Sequence, residues 1–176
     1  MKKFIQSNFK FSKDWSEAER LMENMIALLK AHDCSDDFTR TQVEIIEQLI
    51  EKGSHFGTKN AGDPEMTVCL SIEEGEVTAE VKSKVSESDF DKLEDLDRTI
   101  QRLRGSQVPY CPSMGNYRPV HGHTKNISMN GSELGRLAFD AGVDFDFFVD
   151  EEDILNLFAV RRLEQGCSLN SLTEVQ

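Results

Sequence analysis

Two carboxylates and an imidazole recur at intervals of four residues, as Glu47, Glu51 and His55. Side chains four residues apart drift by only about 40° per step along an α-helix, so all three would share one helix face. In a cleft they could hold a divalent cation or activate a water molecule or a hydroxyl group. A solvated polar helix face has the same spacing, and the residues alone leave both interpretations open.

A short run with two glycines, Gly131-Ser132-Glu133-Leu134-Gly135, is the second candidate site. It opens a helix predicted over residues 132–141, where free backbone N–H groups and the helix dipole can receive a phosphate. A Gly-Ser pair is also an ordinary helix cap, and Gly135 could serve close packing instead. The carboxylate of Glu133 would oppose a bound phosphate.

The cysteines and histidines give a weaker case for a metal. The four cysteines lie far apart in the sequence without a C-x-x-C pair, which predicts reduced, structural thiols. They are Cys34, Cys69, Cys111 and Cys167. A zinc site stays an alternative, although its spacing matches no standard ligand pattern. Its ligands would be Cys111, Cys167, His121 and His123.

Length, composition and charge limit the class of protein. The chain has 176 residues, 38% apolar and 30% charged, which predicts one soluble domain with its own core. A net charge of −12 opposes binding to nucleic-acid phosphates. The basic N-terminus is followed by polar residues instead of an apolar segment, so no signal peptide and no membrane span are predicted. The expected location is the cytoplasm.

Apolar periodicity predicts the order strand, helix, helix, hairpin, helix, long loop, helix, hairpin. The predicted bounds are 3–12, 14–32, 38–56, 66–85, 88–105, 106–130, 132–141 and 143–163. Ser88 is the expected cap of the third helix, Gly57 the expected end of the second, and Phe90 part of an apolar stripe. Residues 106–130 are predicted to be a mobile lid, because they contain Pro and Gly without an apolar period.

The hairpin at 66–85 has one polar face, and such a sheet needs helices only on its other face. The predicted fold class is therefore α+β, a two-layer α/β sandwich with a mixed, mostly antiparallel sheet and helices on one face. The last two strands, 143–149 and 154–163, are apolar on both faces and are predicted to be central. The domain is predicted to span 1–163, with 164–176 as a disordered tail.

Taken in order, these segments resemble the GHKL ATPase superfamily, most closely its anti-sigma-factor serine kinases, over residues 3–163. In that family the second helix carries the motif E-x-x-x-N-x-x-x-H-G, and residues 47–57 are the matching run. The resemblance implies that Glu47 is the general base and that Glu51, in place of the family's Asn, is the Mg²⁺ ligand. His55 falls on the family's histidine. The implied fold is the histidine-kinase-like ATP-binding fold.

The family's second phosphate loop, G-S-G-L-G-L, resembles the run from Gly131 to Arg136. The resemblance implies that Gly131, Ser132 and Gly135 contact the phosphates of ATP, with residues 106–130 as the lid. These three residues, with Glu51 and His55, are the implied nucleotide-binding set.

The family's adenine-binding D-x-G-x-G box has no counterpart here. Residues 81–87, where the box should follow the hairpin, contain no glycine. Asp89 and Asp91 come too late and are predicted to lie in the first turn of a helix. Without this box, bound ATP would lack its main polar contact at the adenine, and the backbone could not come as close to the nucleotide as glycine allows. No cofactor is therefore expected, and Mg-ATP is the alternative.

The resemblance and its altered boxes imply a regulatory protein-binding module of a bacterial signalling pathway, built on a degenerate GHKL fold without catalytic activity. Its expected partner is another regulatory protein or a second copy of the chain. An ATP-dependent serine or histidine kinase of anti-sigma-factor type, with Glu47 as base, is the alternative function. A third hypothesis is an oligomerising protein that uses Phe147 and Phe148, although these residues are also typical of a core.

Overall fold

The computed structural model describes residues 3–10, 15–56, 65–106, 129–165 and 167. The described part contains the predicted elements in the predicted order. They are β1 (Lys3–Lys10), α1 (Trp15–Ala31), α2 (Asp36–Ser54), β2 (Glu65–Glu73), β3 (Glu76–Lys84), α3 (Phe90–Ser106), α4 (Met129–Asp140), β4 (Asp144–Val149) and β5 (Ile154–Arg162). Gly57 and nearly all of the predicted lid lie outside the described residues. The second helix ends earlier than predicted, at Ser54, and His55 caps it.

The five strands form one sheet in the order β1-β2-β3-β5-β4, and every described pairing is antiparallel. β1 lies at an edge and β5 lies inside the sheet, as predicted. β4 lies at the opposite edge, so its predicted central position is wrong. Its edge is protected by Asp146, which accepts the N–H of Phe147 at 2.8 Å and pairs with Arg104 of α3.

The helices pack on one face of the sheet. Along β3, buried side chains alternate with half-buried ones, and the buried set is Val77, Ala79, Val81 and Ser83. α2 packs across β2, β3 and β5, while α1 packs against β1 and α2. The predicted two-layer α+β sandwich with helices on one face is confirmed. Among the described helices, none is long and apolar enough to span a membrane.

The β2–β3 hairpin turns through Glu74 and Gly75, where the run Glu73-Glu74-Gly75 interrupts the alternation of the sequence. Both residues have positive φ angles, 53° and 82°. This left-handed pair is the conformation that joins twisted antiparallel strands with two residues, and glycine adopts it without steric cost.

The third helix begins differently from the prediction. Its cap is Ser86 instead of Ser88, because Asp89 accepts both the backbone N–H of Ser86 at 3.0 Å and its hydroxyl at 2.9 Å. A 3₁₀ turn over Glu87–Asp89 leads into α3. At this start of α3, Phe90 has 64% of its surface exposed. The prediction that Phe90 belongs to the apolar stripe of the third helix is therefore wrong.

The chain after β5 lies against the start of α2. Glu164 accepts the backbone N–H of Ser35 and, at 2.9 Å, its hydroxyl. Cys167 Sγ lies 2.8 Å from Cys34 Sγ. The first residues of the predicted disordered tail therefore have defined contacts, whereas residues 168–176 lie outside the described part. Apolar periodicity gives no signal for such contacts, because they join polar groups far apart in the sequence.

α2 approaches the sheet most closely at Gly53. A β-carbon there would lie 2.8 Å from Val81 Cγ1 and 3.0 Å from Ser83 Oγ, whereas one at Gly135 in α4 would meet nothing closer than Leu103 Cδ2 at 4.0 Å. Val81 is β-branched and has little freedom to move away. The small residue at position 53 therefore sets the distance between the helix layer and the sheet.

We predict that Gly53→Ala lowers the free energy of unfolding by about 1–2 kcal/mol, because overpacking outweighs the better helix propensity of alanine. Gly135→Ala is the matched control and should raise it by up to about 1 kcal/mol. Urea denaturation measures both. A stabilising Gly53→Ala would contradict the close packing of α2 on β3.

A second prediction concerns Gln42, which is fully buried in α2. Neither atom of its amide has a hydrogen-bond partner among the described residues. Because burying an unpaired amide costs free energy, Gln42→Met should stabilise the protein by about 1–2 kcal/mol. The control is Gln48→Met. The Gln48 carbonyl is also buried without a partner among the described residues, but its Nε2 donates to Glu133 at 2.6 Å, and because this bond is lost the variant should not stabilise. Equilibrium unfolding that shows Gln42→Met to be destabilising would overturn this account.

Candidate functional site

The predicted catalytic face of α2 lies at the surface of the protein. Glu47 is exposed, Glu51 is half-buried, and His55 is exposed just beyond the helix end. The helical backbone conformation continues through His55, with φ −77° and ψ −10°, so the three residues keep the predicted spacing of about one turn. The backbone carbonyl of His55 accepts a hydrogen bond from Lys92 Nζ at 2.5 Å.

The predicted phosphate run lies inside α4, which begins at Met129, three residues earlier than predicted. Only the first four N–H groups of a helix lack a partner within the helix. Gly131 and Ser132 are among these four residues, whereas Gly135 lies in the second turn. The run therefore offers a ligand at most two unpaired backbone N–H groups. It does not form the continuous phosphate-binding loop that the family motif implies.

The structure brings this run against α2. Gln48 Nε2 donates to Glu133 Oε2 at 2.6 Å, and Arg136 pairs with Glu44 at 2.6 Å. The hydrogen bond from Arg136 to Glu44 raises the pKa of the Arg136 guanidinium. The predicted motif residues on the two helices are thus neighbours, but the contact is made by Gln48 and Glu44 instead of Glu47 and Glu51.

The charge on this α2–α4 surface is mainly negative. Burial lowers the pKa of Lys52, and the nearby carboxylates of Glu51 and Glu133 oppose that effect. Lys52 and Arg136 are therefore surrounded by more carboxylates than cations. These carboxylates are Glu44, Glu51, Glu133 and Asp140. No group of three or more His, Cys, Asp or Glu side chains in the described ranges is placed to hold a metal ion. Cys111, His121 and His123, three of the four predicted zinc ligands, lie outside those ranges.

A groove on the open face of the sheet was not predicted as a site. Its volume is about 460 Å³. Its lining residues are Ser71, Glu73, Glu74, Glu76, Thr78, Glu80, Phe148 and Phe158. Phe148 has 51% of its surface exposed, and its ring contacts that of Phe158 edge-to-face with 6.2 Å between centroids. We call this surface the open-face groove.

Strand register explains why these side chains meet. Glu80 of β3 is paired with Phe158 of β5, and Phe148 of β4 is paired with Asn156, two residues before Phe158. Phe148 and Phe158 are therefore a diagonal pair on the same face. The polar face of β3 was predicted from its alternation. Phe148 was predicted as either a core residue or an interface residue, because the polar–apolar alternation of residues 144–147 breaks at Phe148 and Val149.

The described residues thus present two candidate surfaces, the acidic α2–α4 surface and the open-face groove. No family model matches the sequence, and no curated protein matches it either. Function must therefore be inferred from the geometry and the charge of these two surfaces.

Proposed function

We propose that this chain is a protein-binding module whose open-face groove binds a basic segment of a partner protein. The observation that carries the proposal is an aromatic pair, exposed Phe148 with half-buried Phe158, in a groove bordered by four glutamates. The glutamates are Glu73, Glu74, Glu76 and Glu80. Apolar anchors with an acidic border are complementary to a segment that combines apolar side chains with Lys or Arg.

The aromatic pair supplies the apolar part of this recognition. Exposure of half of a phenylalanine side chain to water is unfavourable, and burial of that side chain against a partner lowers the free energy. The exposed Phe148 ring also offers a cation–π contact to a Lys or Arg side chain of the partner. The groove therefore favours a partner whose side chains alternate between basic and apolar, as in an extended strand.

The negative net charge of the chain favours a different protein, and not a second copy of the same chain, as the partner. The chain carries a net charge of −12, and two acidic grooves facing each other would repel. The same field would steer a basic segment toward the groove and speed its association. A module that acts by contact alone fits the regulatory role in a bacterial, cytoplasmic signalling pathway that the likeness to GHKL domains implies.

We further propose that the chain does not work as an ATP-dependent kinase. Glu44, Glu51 and Glu133 lie on the α2–α4 surface where the resemblance implies that phosphates should bind. Arg136 is already paired with Glu44, which leaves little uncompensated positive charge for a tetra-anionic nucleotide. Glu133 is held at this surface by its hydrogen bond from Gln48.

The groove gives a binding prediction. A short synthetic peptide of Lys, Leu and Ser should bind the ¹⁵N-labelled protein with micromolar affinity, more weakly as salt is added, and shift amide resonances of β3, β4 and β5. Phe148→Ser should weaken binding at least about tenfold, because it removes the exposed anchor. Reversing charge with Glu76→Lys and Glu80→Lys together should abolish binding.

The matched control is Phe90→Ser, because Phe90 is even more exposed but lies on α3. It should leave peptide binding unchanged. A peptide with Glu in place of Lys should not bind. Equal binding of both peptides, an unchanged affinity in Phe148→Ser, or shifts confined to the helices would each exclude the open-face groove as the binding surface.

A separate prediction concerns nucleotide. Titration with Mg-ATP in a calorimeter should give no binding heat, and Mg-ATP should leave the melting temperature unchanged. For comparison, a ligand at 100 times its Kd stabilises a protein by about 2.7 kcal/mol. Micromolar binding that is lost in Glu51→Ala would contradict the proposal and favour the kinase function. Glu19→Ala, an exposed glutamate on α1, controls for loss of charge alone.

A further inference from the structure

We propose that Cys34 and Cys167 form a redox modification site, at which a peroxide joins the two thiols in a disulfide. Cys34 lies between α1 and α2, and Cys167 follows β5. All three described cysteines are free thiols, and the Sγ atoms of these two lie 2.8 Å apart. Because a disulfide bond is about 2.05 Å long, the sulfur atoms need to move by less than about 1 Å to become bonded.

Contacts independent of the thiols hold the two segments together. Glu164 accepts both the N–H and the hydroxyl of Ser35, the residue next to Cys34. The guanidinium of Arg161 stacks on the ring of Phe38, 3.9 Å from its centroid, and donates to the backbone carbonyl of Phe38 at 3.2 Å. The approach of the thiols therefore follows from the docking of the chain after β5 onto the start of α2.

The two thiols differ in their access to an oxidant. Cys34 is buried, and burial together with its hydrogen bond from Cys167 raises the pKa of its thiol. Cys167 is half-buried and lies 3.9 Å from Glu164 Oε1. The more accessible Cys167 is therefore the one that reacts first, and Cys34 is the resolving thiol.

The chemistry proceeds in two balanced steps with hydrogen peroxide as the oxidant. The thiolate sulfur of Cys167 attacks one peroxide oxygen, the O–O bond breaks, and the released hydroxide takes a proton to leave as water. This gives a sulfenic acid on Cys167. The sulfur of Cys34 then attacks the Cys167 sulfur, the S–O bond breaks, and the leaving hydroxide takes the Cys34 proton as a second water. The two thiols lose two electrons in total, and the peroxide gains them.

The disulfide would close most of the chain into one loop, since its ends are 133 residues apart. It would make the contact between the chain after β5 and the start of α2 permanent under oxidising conditions. In the chain-entropy account, closing so long a loop restricts the unfolded chain strongly. We expect the melting temperature of the oxidised protein to rise by about 10 °C.

Tryptic mapping of the full chain tests the proposal, because each of the four cysteines falls on a different tryptic peptide. The intact protein is treated with hydrogen peroxide, its remaining thiols are alkylated, and the digest is analysed without reductant. The expected product is peptide 31–40 linked to peptide 163–176, and dithiothreitol should remove both the link and the rise in melting temperature. Cys69→Ser and Cys111→Ser should retain both effects, whereas Cys34→Ser and Cys167→Ser should lose them.

Mapping of the unsubstituted chain keeps the test valid if a serine variant fails to fold. A dominant link to Cys111 or Cys69 would overturn the proposal. So would oxidation of Cys167 to the sulfinic or sulfonic acid without any link to Cys34, because a resolving thiol in contact should capture the sulfenic acid first.

Discussion

In the described part of the chain the helices cover the sheet on one face only, and this is the constraint from which the other features follow. α2 crosses β2, β3 and β5, and its closest approach is fixed by Gly53 against Val81 and Ser83. The apolar side chains of β2, β3 and β5 on that face are buried by this packing, which places the core on one side. On the opposite face most described side chains are half-buried or exposed, so a partner can bind the sheet there.

The fold class could be predicted from the sequence because its signals are local. Alternation with a period of two identified the β2–β3 hairpin and its polar face, and the interruption of that alternation at residues 73–75 placed the turn. The start of α3 could not be fixed in this way, since Ser86 and Ser88 are both good caps. The choice depends on the reach of the Asp89 carboxylate, which also decides whether Phe90 faces solvent.

The candidate site was only partly predictable. The glutamates of β3 follow from alternation. Phe148 was left open between a core position and an interface position, because its neighbour Phe147 is apolar too and only the strand order reveals an edge position for β4. The contact between Gln48 and Glu133 joins residues 85 positions apart, and that between Cys34 and Cys167 joins residues 133 apart. Contacts of this kind depend on how the layers are assembled, and no local pattern encodes them.

We propose that the face bearing Phe148 is open in the free protein and that a partner covers it. The most direct measurement is the alkylation rate of a thiol introduced by Phe148→Cys, compared with one introduced by Phe90→Cys, with the four native cysteines replaced by serine in both variants. In the free full chain we expect similar alkylation rates at positions 148 and 90 at all protein concentrations. The basic peptide of Lys, Leu and Ser should slow alkylation at position 148 only. A thiol at position 148 that is already strongly protected in the free chain would contradict the claim, because another part of the chain or a second copy would then occupy this face.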